Sequence, residues 1–247
     1  MFNLIEIIAI LSFSLMHFIE VHSFSSRAAG KLSGNTALGT TFHYSMDTAS
    51  RFLLIIFLPA LSFLVESKSS VNSYLLVVIW SLFLCFMGNL YIVLRLNSAQ
   101  FFFQNVFNQY AKTNFLFLSL FQVFFYKTNR KKDLKQLEGF KFNKITYRKT
   151  LVAFLSYTFL NTGFFVAFLM SFIFYDYRLT VSQFSTMFHG FGAIVVAFYL
   201  DPMLSRSIDE SLSKGKWLSD MYSILFGRML SYFIALFFFL AYYFFNT

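Results

Sequence analysis

Three arginines, three carboxylates and one histidine stand out because of where they fall. Arg27, Arg51 and Arg228, Glu20, Asp47 and Asp201, and His189 lie in or at the edges of long apolar runs. A charged side chain at the centre of a membrane helix costs roughly 2.5–3.5 kcal/mol on insertion scales, so each calls for a reason. The planar fork of arginine suits bidentate contact with phosphate oxygens. Asp47 and Arg51 are spaced i, i+4 and share a helix face, and Glu20 and Arg27, spaced i, i+7, share one if their helix is continuous. Two readings fit. One is a polar cleft for a diphosphate, open to the inner leaflet; the other is a set of internal ion pairs that let helices associate. Three such arginines exceed what packing requires, which favours the cleft.

His189-Gly190-x-Gly192 places a titratable ring beside flexible backbone near the middle of an apolar run. The ring is either part of the cleft or a core histidine bonded to a neighbouring helix. Asp201-Pro202 is expected to end that run, with Pro202 in the first turn of a following helix and Asp201 at its N-cap. Capping alone would explain Asp201.

Motifs of several enzyme chemistries do not occur. There is no His-Glu-x-x-His, no glycine-rich phosphate loop, no Gly-x-Ser-x-Gly elbow, and no paired acidic cluster of the kind that holds magnesium for polyprenyl transfer. His17, His22, His43 and His189 lack metal-ligand spacing. The lone Cys85 rules out an internal disulfide framework and reads as inert packing. No cofactor or metal is expected.

The elements that must position these residues are membrane helices. Charged residues make up 13% of the chain, where a soluble domain carries about a quarter, and the mean hydropathy is +0.62. The fold class is all-α, with a single membrane domain of six transmembrane helices at about 2–19, 48–65, 73–96, 151–175, 180–200 and 221–245. The first run lacks a basic n-region and a cleavage site and is expected to stay as a span. Interfacial helices are expected at about 22–45 and 100–125, and a basic cytoplasmic loop at 126–150. With 100–125 in the interface, 18 Lys and Arg fall on the inner side against 2 outside, and both termini lie outside. Aromatic belts are expected from Tyr74, Tyr175, Tyr177, Tyr242 and Tyr243 at the outer ends and Tyr44, Tyr126, Tyr147, Trp217 and Tyr222 at the inner ends. The 39 phenylalanines read as lipid-facing filler. Ser23, Ser26, Gly30, Gly34 and Ala37 recur at steps of three or four, which suits a close-packed helix face; an ordinary glycine-punctuated loop is the alternative.

Three blocks of residues resemble the Amj family of lipid II flippases, bacterial inner-membrane proteins. The first is Glu20-x-x-x-Phe24-Ser25-x-Arg27-x-Ala29-Gly30-x-x-x-Gly34-x-x-Ala37. The second is Ser50-Arg51, then Pro59 and Val65-Glu66; the third runs from Gly190-x-Gly192 to Asp201-Pro202, with Arg228 in the last span. Phe24 stands where the family pattern has Tyr, and His189-Gly190 where it has Asn-Gly. The resemblance implies a transporter rather than an enzyme. Its substrate would be an undecaprenyl-diphosphate-linked cell-wall precursor, moved from the inner to the outer leaflet. Arg27, Arg51 and Arg228 would contact the diphosphate, and Glu20, Asp47 and Asp201 would hold the arginines. The partners implied are that lipid and membrane lipids, with no nucleic acid; six spans leave room for a homodimer. A membrane enzyme acting on a polyprenyl phosphate, or a non-transporting subunit of an envelope complex, are the competing readings.

Overall fold

A computed structural model describes residues 2–67, 69–125, 145–210 and 214–246. Lys68, Tyr126 and most of the basic loop expected at 126–150 lie outside the described residues. In chain order the described helices are α1 (Leu4–Ser33), α2 (Thr36–Ser50), α3 (Leu54–Glu66), α4 (Val71–Leu94), α5 (Leu96–Thr113), α6 (Leu116–Phe125), α7 (Tyr147–Ile173), α8 (Arg178–Val195), α9 (Asp201–Glu210) and α10 (Lys214–Asn246). Among the described residues, six helical paths are long and apolar enough to cross a membrane: Leu4–Ser33, Thr36–Glu66, Val71–Leu94, Tyr147–Ile173, Tyr175–Glu210 and Gly215–Asn246. The chain is an all-α, multi-pass membrane protein, as its composition implies.

The polar stretch between the first two spans differs from expectation. No separate interfacial helix forms at 22–45. Helix α1 starts at a capping box, in which Asn3 Oδ1 accepts from Glu6 N–H and Glu6 Oε2 accepts from Asn3 N–H, both at 2.8 Å. It then runs unbroken through Arg27, because nothing stops it before Gly34. Gly34 adopts φ 79°, ψ 8°, the left-handed C-cap that glycine reaches without strain, and the chain reverses into α2. The small residues hold the resulting hairpin, with one change of partner. A Cβ on Gly30 would meet Gly39 Cα at 2.8 Å, and one on Gly39 would meet Ser26 O at 2.6 Å, whereas Gly34 has open space beside it. Ser26 Oγ donates to Gly39 O at 2.8 Å. The close face is thus Gly30 against Gly39 across the turn, and Gly34 is the turn itself.

Helices α2 and α3 form one path through a 3₁₀ turn at Arg51–Leu53. Ser50 Oγ donates back to Asp47 O at 2.8 Å, and Pro59, inside α3, denies Ile55 O its main-chain donor. The 100–125 region is two helices rather than one. Asn114, at φ 52°, ends α5, and α6 runs for ten residues; neither is long and apolar enough to cross.

The core runs through the bundle. Phe13 packs on Phe57 and Phe165, with ring centroids 4.9 and 4.6 Å apart, and Tyr74 OH donates to Phe165 O at 2.7 Å. Phe13, Phe42, Phe57, Phe103, Phe165 and Phe239 are fully buried, so the phenylalanines are not only lipid-facing filler. The belt assignment fails for Tyr74, Trp217 and Tyr222, which are buried in core clusters, while Tyr147 and Tyr177 are exposed. Position along a span does not say which way a ring turns.

The Gly30–Gly39 contact gives a test. Gly39→Leu should lower stability in detergent by about 1–3 kcal/mol, the cost of overpacking. Gly190→Ala, where a Cβ meets nothing within 4 Å, should be neutral or stabilising by up to about 1 kcal/mol, the helix-propensity gain. Thermal unfolding of the purified variants distinguishes the two.

Candidate functional site: a pocket of paired arginines

A cavity of about 180 Å³ opens among α1, α2, α7, α8 and α10. Six of the seven residues singled out from the sequence line it: Glu20, Asp47, Arg51, His189, Asp201 and Arg228. Arg27 stands behind Asp201, its Nη2 3.2 Å from Asp201 Oδ1. The structure therefore gathers residues spread from 20 to 228 around one site.

Each arginine has its own carboxylate, and the pairing differs from the one sequence spacing suggests. Glu20 shares helix α1 with Arg27 but pairs across the bundle with Arg228 of α10, Nη2 to Oε2 at 2.5 Å. Arg27 turns to Asp201. Asp47 and Arg51 pair within one helical path at 2.8 Å, as i, i+4 spacing predicts.

The three pairs differ in access. The Arg51 side chain is 56% exposed, against 2% for Arg228 and 0% for Arg27. Arg228 is held on every side. Its Nε donates to Tyr232 OH at 3.1 Å, its guanidinium lies 4.8 Å from the Tyr157 ring centroid, and His17 Nδ1 is 3.0 Å from its Nη2. That same His17 nitrogen is 2.9 Å from Glu20 Oε2. It can donate to the carboxylate or accept from the guanidinium, but not both at once. Arg27 is held less completely. Its Nε and Nη1 are buried and have no hydrogen-bond partner among the described residues, and Nη2 is within ion-pair range of Asp201 without the alignment of a hydrogen bond. The Tyr44 ring lies 5.3 Å away, a cation–π contact. Buried donors left unmade are costly, and most of those in native proteins find an acceptor.

The wall opposite is shaped by a break in helical register. Asp201 is not an N-cap: its φ of −68° and ψ of −46° are helical, and the helix does not stop there. A π turn at Val196–Leu200 carries α8 directly into α9, and Asp201 N–H donates to Val196 O. Pro202 explains the turn. Its ring would clash with the carbonyl four residues back and it has no N–H to give, and the wider turn relieves both. Val196 and Ala197, within the turn, line the cavity. His189 Nδ1 lies 3.1 Å from Leu160 O, so that nitrogen donates and Nε2 is left as the acceptor. This is the neighbouring-helix bond that one reading of His189 required, and the ring faces the cavity as well. Gly192, rather than Gly190, is the close contact there: its Cβ would meet Ser156 O at 2.6 Å.

Four lining or supporting residues were not singled out for this role: His17, His43, Tyr157 and Tyr232. His17-x-x-Glu20 and Arg228-x-x-x-Tyr232 have helix-face spacing that could have suggested them. His43, which bonds Ser23 Oγ at 2.7 Å, and Tyr157 arrive only through tertiary packing. No group of three His, Cys, Asp or Glu that could hold a metal occurs among the described residues.

The family model described as Amj, alternate to MurJ, matches residues 12–243. The chain belongs to the Amj family. The match takes in all three sequence blocks and all three arginine–carboxylate pairs of the pocket. No match is found among curated proteins or solved structures. In this Amj-family chain the ion pairs are thus both packing contacts and the lining of a cavity, so the two readings of the charged residues are not exclusive.

The buried pair can be separated from the exposed one by stability. Glu20→Gln and Arg228→Met should each cost about 3–5 kcal/mol, because each leaves one buried charge or its partners unmatched. The double variant should lose clearly less than the sum. Arg51→Ala, at the exposed pair, should cost about 1 kcal/mol or less. A double-mutant cycle from unfolding in detergent is the measurement, and strict additivity would mean that Glu20 and Arg228 do not act as a pair.

Proposed function

We infer that this chain is a flippase for an undecaprenyl-diphosphate-linked peptidoglycan precursor, lipid II, in the bacterial cytoplasmic membrane. It carries the precursor from the inner to the outer leaflet and is a transporter rather than an enzyme. The family description, alternate to MurJ, supports the substrate. The observation that supports the site is Arg27, a fully buried guanidinium with unmatched donors beside a cavity that Arg51 and Arg228 also line.

The polar head of such a lipid cannot cross hydrocarbon unaided, since its charges and hydroxyls would lose their solvation. Arg51, the exposed arginine, meets the diphosphate first. Arg27 and Arg228 then take its oxygens by exchange with Asp201 and Glu20, so each guanidinium stays matched while each displaced carboxylate takes up water or a proton. That exchange keeps binding reversible, as transport requires. A cavity of about 180 Å³ is below the 300–1,000 Å³ typical of sites for drug-sized ligands. It accommodates a diphosphate and leaves the disaccharide-pentapeptide outside, so passage of the head requires the helices to part. The seam that opens is between the α1–α2 hairpin and α8–α9, which the Arg27–Asp201 pair bridges.

Complementation of a strain lacking its other lipid II flippase tests this reading. Arg27→Ala and Arg51→Ala should each reduce lipid II reaching the outer leaflet about tenfold or more, the worth of one charge-assisted hydrogen bond. Arg51→Lys should retain part of it. Normal growth of both alanine variants at normal protein level would remove the diphosphate role, and release of phosphate from the lipid by purified protein would make the chain an enzyme instead.

A further inference from the structure

The largest cavity described is not the arginine pocket. A groove of about 640 Å³ runs between α1, α4, α5 and α6, walled by Phe18, Ile19, Phe121 and other apolar side chains. No carboxylate lines it among the described residues. Its one charged residue is Arg95, at the junction of α4 and α5, with His22 also on the wall. Arg95 differs from the arginines of the charged pocket. Arg27, Arg51 and Arg228 each face a carboxylate, whereas the exposed Arg95 side chain has no ion-pair or hydrogen-bond partner among the described residues.

We propose that this groove is a binding site for one anionic membrane phospholipid, with an acyl chain along the aromatic wall and the phosphate against Arg95. Charge complementarity selects the headgroup: a guanidinium at the end of an apolar slot, with no acidic side chain among the described residues of the wall, suits a phosphate whose tail continues into the slot. The volume falls within the range of sites that enclose whole ligands. The occupant is not the tail of a diphosphate held in the arginine pocket. At 3.6 residues per turn, Phe18, Ile19 and His22 lie on the face of α1 opposite to Glu20 and Phe24, which line that pocket. Helix α1 stands between the two. The proposal therefore does not rest on the flippase reading.

Delipidated full-length protein in detergent, titrated with phosphatidylglycerol and with phosphatidylcholine and followed by native mass spectrometry, is the test. The wild type should hold one phosphatidylglycerol per chain in preference to phosphatidylcholine. Arg95→Gln should cut that preference about fivefold, the value of one basic residue at an anionic lipid surface. Arg95→Lys should keep most of it, and Arg148→Gln, an exposed arginine away from the groove, should leave it unchanged. An Arg95→Gln protein with unchanged preference, or an equal loss in Arg148→Gln, would reduce the lipid to a general surface coat. Displacement of phosphatidylglycerol by undecaprenyl phosphate at equal concentration would overturn the occupant.

Discussion

A buried guanidinium has to be matched by an anion, and that requirement organises this bundle. Arg27 and Arg228 are wholly buried within helices that are long and apolar enough to span a membrane. Unmatched, each would be among the most costly groups in the protein. Matching them joins elements far apart in sequence. Glu20 to Arg228 ties the first helix to the last, and Asp201 to Arg27 ties the α1–α2 hairpin to the path that begins at Tyr175. Apolar contacts such as Phe13 with Phe165 fill the bundle but tolerate small shifts; a charge pair at under 3.5 Å does not. The ion pairs therefore set how the helices align.

The same constraint explains how such a site can serve a charged ligand at all. The cleft, with Arg27 behind its wall, brings together three arginines and three carboxylates, with no net excess of charge from these six. A cleft with three bare arginines would be unstable when unliganded and would release a diphosphate slowly. With a resident carboxylate on each, the ligand's gain is only the difference between two anions. Affinity for an incoming anion is lowered accordingly. Arg27 is the member whose matching is least complete, and so the one for which a phosphate oxygen improves most on what is present.

Much of this was legible from residue types. Apolar run lengths implied six spans, and charges at depth pointed to Glu20, Arg27, Asp47, Arg51, Asp201 and Arg228. Local spacing identified the Asp47–Arg51 pair, whose partners are one turn apart. It could not identify the other two pairs, because the partner of Glu20 lies 208 residues away and is decided by how the helices pack. Two local expectations failed for a reason that is also physical. A polar stretch was read as a break in the helix, yet helical hydrogen bonding continues through serine, arginine and alanine until Gly34 supplies a left-handed turn. Proline was read as an end at Pro202, yet a π turn before it lets the helix continue. Composition sets where a helix is possible; only a terminating geometry ends it.

The π turn has a further consequence for the pocket. In an unbroken α-helix, Asp201 would lie about 100° around the axis from its position after one extra residue. The inserted residue thus re-aims the carboxylate that Arg27 requires, and it does so in the segment where Val196 and Ala197 wall the cavity. Single π turns inside α-helices are rare overall and frequent at functional sites. Asp201 of the Arg27–Asp201 pair is carried on a lining helix whose backbone departs from α register, as the path through Arg51 does at its 3₁₀ turn. Asp201, the carboxylate that faces Arg27, is therefore placed by the π turn that precedes it.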